Sequence, residues 1–307
     1  MIYLRKKTQP AYLYGLLLVI LAAVTWGIGG GIAGLLIDRD WSPPTIAGFR
    51  ALVGLIFMIA LLLILKKVSF KFNKLLIFWS ITAGIGLAGN MGFYFLSISE
   101  TNVPVAATLM YTAPIFVIII SILFRIEIIT FFKALSSAIV VFGIMLLTGV
   151  FEMSTVDINM LGVVSGLLSA LSYALFIFSF KFSVAHGHPL IVLSIAAFTE
   201  TTIHFLFADK RQIGEFILTF QDLSLALLIG FTGAGLATFI YMIGLKKVTA
   251  GTASMVSMVE PVAASMFGII LLGQLITNIQ LLGMVIILLT VTSLSIYDVR
   301  EKSRKTL

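Results

Sequence analysis

Glu260 stands directly before Pro261 in the stretch SMVSMVEPVAA, residues 254–264, and its surroundings are apolar or small. A carboxyl group so placed can hold a proton or the cationic end of a bound molecule. Its helical neighbours at i−3, i−7 and i+4 are Ser257, Ala253 and Ala264. That stripe of small residues either marks a close helix contact or leaves room for a ligand. Pro261 has no N–H, so a carbonyl one turn earlier loses its ladder bond and becomes available to a substrate or a hinge. Glu200 and His204 lie one turn apart in AAFTETTIHF. On one helix face they can relay a proton, or simply satisfy each other. Arg50, in TIAGFRAL, can snorkel toward Asp38 or Asp40, anchor a substrate carboxylate, or meet an acid on another helix; a structural or gating role is expected of it. The chain has no cysteine, which removes disulfides and thiolate metal sites. No metal-ligand spacing and no nucleophile–base pair stand out, so neither an enzyme nor a cofactor is expected. The glycine-rich WGIGGGIAG at 26–34 lacks the Lys-Ser/Thr that a phosphate loop needs.

The elements that must position these groups follow from composition. Of 307 residues, 60% are hydrophobic and only 11% charged, against about a quarter charged in soluble domains. Such a chain must meet lipid. It divides into ten apolar runs long enough to span a bilayer: Tyr12–Ile37, Thr45–Leu65, Leu75–Ile98, Val103–Phe124, Phe131–Phe151, Ile158–Phe182, Pro189–Phe207, Leu223–Leu245, Gly251–Leu272 and Ile279–Tyr297. The runs do not alternate polar and apolar residues, which excludes a β-barrel. The fold class is an all-α integral membrane protein. The first run is too long for a signal peptide and is read as a span. At about 1.5 Å per residue, Glu260 lies roughly 15 Å into the ninth run. A charge at that depth costs at least ~2.5–3.5 kcal/mol, so it is expected to face the bundle or a wet cavity.

The net charge of +7 reflects topology. With the N-terminus in the cytoplasm, the inside segments hold Arg5, Lys6, Lys7, Lys66, Lys67, Lys71, Lys74, Arg125, Lys133, Lys181, Lys246, Lys247, Arg300, Lys302, Arg304 and Lys305. The outside segments hold only Arg39, Lys210 and Arg211. This positive-inside bias places both termini in the cytoplasm of a cell-membrane protein and leaves no case for nucleic acid. The basic, aromatic stretch LKKVSFKFNKLL at 65–76 is expected to rest on anionic lipid.

A shift of 147 residues sets Gly15 on Gly162, Trp26 on Tyr173, Gly86 on Gly233, Tyr94 on Tyr241, Pro114 on Pro261 and Thr130 on Thr277. The chain thus reads as a short N-terminal segment (1–11), two five-helix units (12–151 and 158–297) and a basic tail (298–307). An odd number of spans turns the second unit over, giving two inverted five-helix repeats. In such carriers the substrate site lies near the midplane between the repeats. The repeat also selects an aromatic set. Trp26 pairs with Tyr173 and Tyr94 with Tyr241. Tyr111 precedes Pro114 by one turn and Asn90 precedes Tyr94 by one turn. Together they suit either helix packing or a pocket for a small amphipathic molecule.

Two stretches carry a family resemblance: NVPVAATLMYTAPIFVIIISILF at 102–124, running into RIEIIT, and AGTASMVSMVEPVAASMFGIILLGQLIT at 250–277. With the ten runs and the 5+5 duplication, they resemble the EamA family of the drug/metabolite transporter superfamily. In that family each fourth span holds a proline and leads to an LGE-like turn. This chain keeps Leu272 and Gly273 but has Gln274 for the acid. The first copy has Arg125-Ile126-Glu127 and keeps only the acid. The resemblance implies a small-metabolite carrier, most often an exporter of amino acids or related compounds.

The expected function is secondary-active transport by alternating access, with Glu260, Glu200 and His204 as proton-coupling groups. Substrate contacts are expected from Glu260, Ser257, Tyr94, Asn90, Tyr111, Trp26, Tyr173 and Tyr241, and hinge or gate roles from Pro114, Pro261 and Arg50. Uptake of a sugar, nucleoside or amine, and a non-transporting scaffold or sensor, are the alternatives. Partners are a small molecule and membrane lipid; the sequence leaves substrate, direction, coupling ion and oligomeric state open.

Overall fold

A computed structural model of the chain describes residues 9–37, 39–65, 73–151 and 159–304. The basic cluster Arg5–Lys7, Asp38, most of the 65–76 anchor, Glu152, Asp157 and the last tail residues lie outside the described residues. The described residues are helical, without strands. They supply nine segments long and apolar enough to cross a membrane and one shorter apolar helix. In chain order, the spans are Pro10–Ile37, Pro43–Ile64, Lys74–Glu100, Val103–Leu123, Phe131–Leu147, Met160–Ser183, Pro189–Phe207, Phe220–Leu245, Ala250–Leu271 and Asn278–Glu301; they are called spans 1 to 10 below. The protein is a multi-pass membrane protein.

Most spans begin where the sequence supplies a polar cap or a proline. Span 2 opens on Pro43-Pro44, where the missing N–H groups cost nothing. Asn73, Asn102, Thr130, Asn159 and Thr249 each accept a hydrogen bond from a backbone N–H of the first turn of the span that follows. Span 5 stops at Leu147, short of the expected Phe151, because Gly149 takes a positive φ of 72°. A short helix absent from the sequence expectation, Lys210–Leu218, bridges spans 7 and 8.

The spans pack in reciprocal pairs. Span 3 lies along span 6, and span 8 along span 1. Span 3 also meets span 7, as span 8 meets span 2. Span 4 meets span 6, as span 9 meets span 1. Spans 2 and 7 pair with each other, as do spans 5 and 10. A shift of 147 residues carries each such contact into its counterpart. The agreement reaches single residues: a Cβ on Gly15 would strike Lys247 and Val248, and one on Gly162 would strike Glu100 and Thr101. The caps correspond too, Asn102 with Thr249 and Thr130 with Thr277.

Three spans are irregular at mid-length. Span 4 breaks at Tyr111-Thr112, just before Pro114. Span 9 tightens into a 3-10 turn over Ser257–Val259, just before Glu260 and Pro261. Span 8 widens into a π-helix over Gly230–Ala237. The tightened turn gives the Ser257 carbonyl a new donor, the Glu260 N–H. The acceptor that Pro261 was expected to leave open is therefore filled. Tyr12, near the start of span 1, donates its hydroxyl to Asp298, near the end of span 10, at 2.9 Å. Both ends of the described chain therefore lie at one end of the bundle, called here the terminal end.

Candidate functional site

A cavity of about 140 Å³ lies among spans 1, 2, 3, 4, 6, 7, 8 and 9. That is the size of a void that accepts a benzene-sized molecule. It forms where three spans are irregular. Gly29 and Gly30 of span 1 face open space, so a side chain at either would fill it. The π-helix of span 8 leaves the Gly233 carbonyl accepting the Thr238 hydroxyl at 3.0 Å and the Trp26 indole N–H at 3.1 Å. Trp26 is thereby held upright as a wall. The breaks in spans 4 and 9 bring Tyr111 and Glu260 to the same point.

Glu260 is half-buried, and it lines the cavity. The Tyr111 hydroxyl is its polar neighbour, and the Arg50 guanidinium is close enough for its charge to act on it. Arg50 also lines the cavity and forms an ion pair with Glu200 at 3.2 Å, span 2 to span 7. His204 Nε2 stands farther from the same Glu200 oxygen, at 4.0 Å, and has no hydrogen-bond partner. Two carboxyl groups and one guanidinium thus face one space walled by Trp26, Phe95, Tyr111, Tyr173 and Phe176. Such a space can hold a small molecule with an apolar body and a charged end.

Of the residues singled out from sequence, Glu260, Glu200, Arg50, Asn90, Tyr111, Trp26 and Tyr173 line this cavity. Asn90 is also engaged elsewhere, donating to the Ser169 carbonyl and hydroxyl, each at 3.1 Å. Four others stand behind the lining. Tyr94 sits beside Tyr111, within reach of the Glu260 charge, and packs on Phe95. Tyr241 is fully buried, with Trp26 at 4.9 Å and Phe176 at 5.8 Å between ring centres. Ser257 turns its hydroxyl back to the Ala253 carbonyl at 2.8 Å. His204 lies a turn beyond Glu200, buried away from the cavity. Pro114 and Pro261 flank the two breaks. Sequence reasoning paired Glu200 with His204 because they are local; the nearer partner, Arg50, is 150 residues away.

The cavity is not centred. Toward the end away from the termini its lining reaches Ala33 and Ile46, within a turn of the loop joining spans 1 and 2. Toward the terminal end it stops at Phe176 and Thr238. Below that floor lies a polar cluster of which sequence reasoning saw only parts, Lys133 and Lys181 as topological charge and Glu127 as the acid of the turn after span 4. Asp298, 2% exposed, accepts from Tyr12 and from the Thr252 hydroxyl, and pairs with Lys133 at 3.3 Å. Lys133 also donates to Thr252 at 3.2 Å. Glu127, in the loop after span 4, accepts from the Ala250 and Gly251 N–H groups at 2.5 and 3.3 Å and pairs with Lys181 at 3.2 Å. Burial pushes its carboxyl upward. Lys181, Lys133 and the two N–H groups outweigh that and hold it below the ordinary carboxylate value. Among the described residues, no group of three or more histidines and acids could hold a metal.

The EamA-like transporter family model matches residues 13–149 and again 160–296. The uncharacterized transporter YdfC of Bacillus subtilis is 30% identical over 92% of this chain and 90% of its own length. An uncharacterized transporter of Archaeoglobus fulgidus is 26% identical over 64% of this chain and 68% of its own. A crystal structure at 16% identity superposes with a TM-score of 0.70 over 92% of this chain and 96% of its own, a likeness of fold.

Proposed function

The chain belongs to the EamA-like transporter family, and from that premise we propose that it is a secondary-active carrier exporting a small metabolite across the cell membrane. The substrate is an amino acid or a related compound, and transport runs by alternating access between two inverted five-helix repeats. The membrane potential or a proton gradient drives it, with Glu260 exchanging substrate and proton. The basic segments support an orientation with both termini in the cytoplasm. The single observation that carries this reading is the position of Glu260. Its carboxyl faces a cavity bounded by both halves of the chain, at the point where spans 4 and 9 lose regular helical geometry. A charge buried in a bilayer is costly and is kept for a task. The reciprocal packing of the halves supports a mechanism in which they exchange conformations.

Proteoliposome flux tests it. Once a thermal-shift screen of amino acids, amines, sugars and nucleosides identifies a ligand, Glu260→Gln is expected to stay folded and to bind. It is expected to lose the pH dependence of flux. Wild-type pH dependence in that variant would remove Glu260 from coupling.

A further inference from the structure

The polar cluster at the terminal end lies outside the cavity, and four spans meet in it. Asp298 of span 10 takes hydrogen bonds from Tyr12 of span 1 and Thr252 of span 9 and pairs with Lys133 of span 5. Lys133 reaches Thr249 as well, at 3.5 Å, just before span 9 begins. Glu127 grips the same start of span 9 from the other side and ties it to Lys181 of span 6. Span 9 is therefore held at its first turn by Glu127, Lys133 and Asp298, and it is also the span that carries Glu260. Its 3-10 turn separates the gripped segment, Ala250–Val256, from the segment holding Glu260.

At these positions the two halves differ in chemistry. Positions 147 residues away from Lys133, Asp298, Thr252 and Glu127 are Gln280, Phe151, Val105 and Gln274. The half-to-half packing is reciprocal, yet these counterpart positions carry no ionised group; the far end is tied instead by a different pair, Arg39 with Asp222, whose arginine is 39% exposed. The cavity lining extends toward that far end and stops short of the terminal one. Buried ion pairs are not a cheap way to add stability. A device that must close and reopen can use them, because the same groups are well solvated when water enters.

We infer that Asp298, with Lys133, Tyr12 and Thr252, is the latch that holds the terminal end shut, and that its release exposes the Glu260 cavity to that side. This rests on the alternating-access reading above. These are positioning residues, since none lines the cavity.

The absence of native cysteine makes a side-specific test direct. A single thiol is introduced at the cavity floor by Thr238→Cys, or on the far side by Ala47→Cys as a control; both positions line the cavity. Oriented proteoliposomes are treated with a membrane-impermeant maleimide from one side at a time. In the otherwise native chain, position 238 is expected to label mainly from the side away from the termini. Lys133→Met with Asp298→Asn removes both charges together, leaving neither ion unpaired. It is expected to raise labelling of position 238 from the terminal side about tenfold, the ratio shift of a latch contributing one factor of ten. The exchange Lys133→Asp with Asp298→Lys is expected to return the ratio most of the way. It also keeps the test decisive if the neutral pair folds poorly. An unchanged side ratio in the neutral pair, with the native chain labelling from both sides, overturns the latch alone. Labelling from only one side under every condition, with substrate and in both variants, overturns alternating access as well.

Discussion

Arg50 and Glu200 offer a quantitative test of how spans 2 and 7 are held together. Their charged atoms stand 3.2 Å apart. At an effective dielectric near 20, the attraction is about 5 kcal/mol. Desolvation offsets much of it, and breaking a buried pair from one side costs roughly 3–5 kcal/mol, because the remaining charge stays buried. Arg50→Met strands Glu200, which is only 4% exposed, with His204 as a distant neighbour; a loss of about 3 kcal/mol is expected. Glu200→Met strands Arg50 instead, whose side chain keeps 20% of its surface open and whose charge already acts on Glu260. That loss is smaller, about 1.5 kcal/mol. The double variant removes both ions and should lie within about 1 kcal/mol of wild type. Thermal unfolding in detergent reads the cycle, at roughly 2–4 °C per kcal/mol. If the two single losses simply add in the double variant to within about 0.5 kcal/mol, the two groups are independent and the pair does not hold the spans.

Two further outcomes are expected. A Cβ on Gly27 would strike the Glu260 carbonyl and approach Ala263 Cβ and Ala264 N, each at 2.8 Å. Gly27→Ala should therefore force spans 1 and 9 apart at a cost of about 1–3 kcal/mol, read in the same melting assay; an unchanged midpoint would mean the crossing is looser than described. His188 caps span 7 by accepting the Leu190 N–H at 3.3 Å on its ring nitrogen. Burial and then the Lys246 charge hold its imidazole below the usual histidine value of 6.5. The neutral form is thus the folded one. Its contribution is complete above about pH 6.5 and fades as pH falls through the lowered folded value. The protection of the Leu190 amide, its exchange rate relative to the intrinsic rate at each pH, should fall on acidification in wild type but not in His188→Asn, whose cap does not titrate in that range; an equal fall in both would exclude the cap as the cause.

Much of the architecture was legible in the residues. Apolar runs longer than a bilayer is thick have few alternatives to crossing it, so ten spans follow from length and composition. Asn102, Thr130, Asn159 and Thr249 mark span starts because a side-chain oxygen must satisfy N–H groups that water cannot reach. The 147-residue register anticipated which glycines and aromatics correspond, and the contacts of Gly15 and Gly162 agree with it. A carboxyl in an apolar run pointed to Glu260 because its burial is costly.

Other features waited for the fold because they depend on distant partners. Nothing local distinguishes Lys133 and Asp298 from ordinary end-of-span charges, and only the approach of spans 1, 5, 9 and 10 makes them one cluster. Arg50 had three candidate partners by sequence, and the packing of span 2 on span 7 chose Glu200. Tyr94 and Tyr241 share the chemistry of Tyr111 and Tyr173, yet helix rotation put one pair behind the cavity lining and the other on it. Span number, caps and repeat register are properties of short stretches and of their cost in lipid, so the chain carries them locally. Which charge meets which, and which ring faces the cavity, depends on the angle at which helices far apart in sequence come to rest, and that is decided only when all of them pack at once.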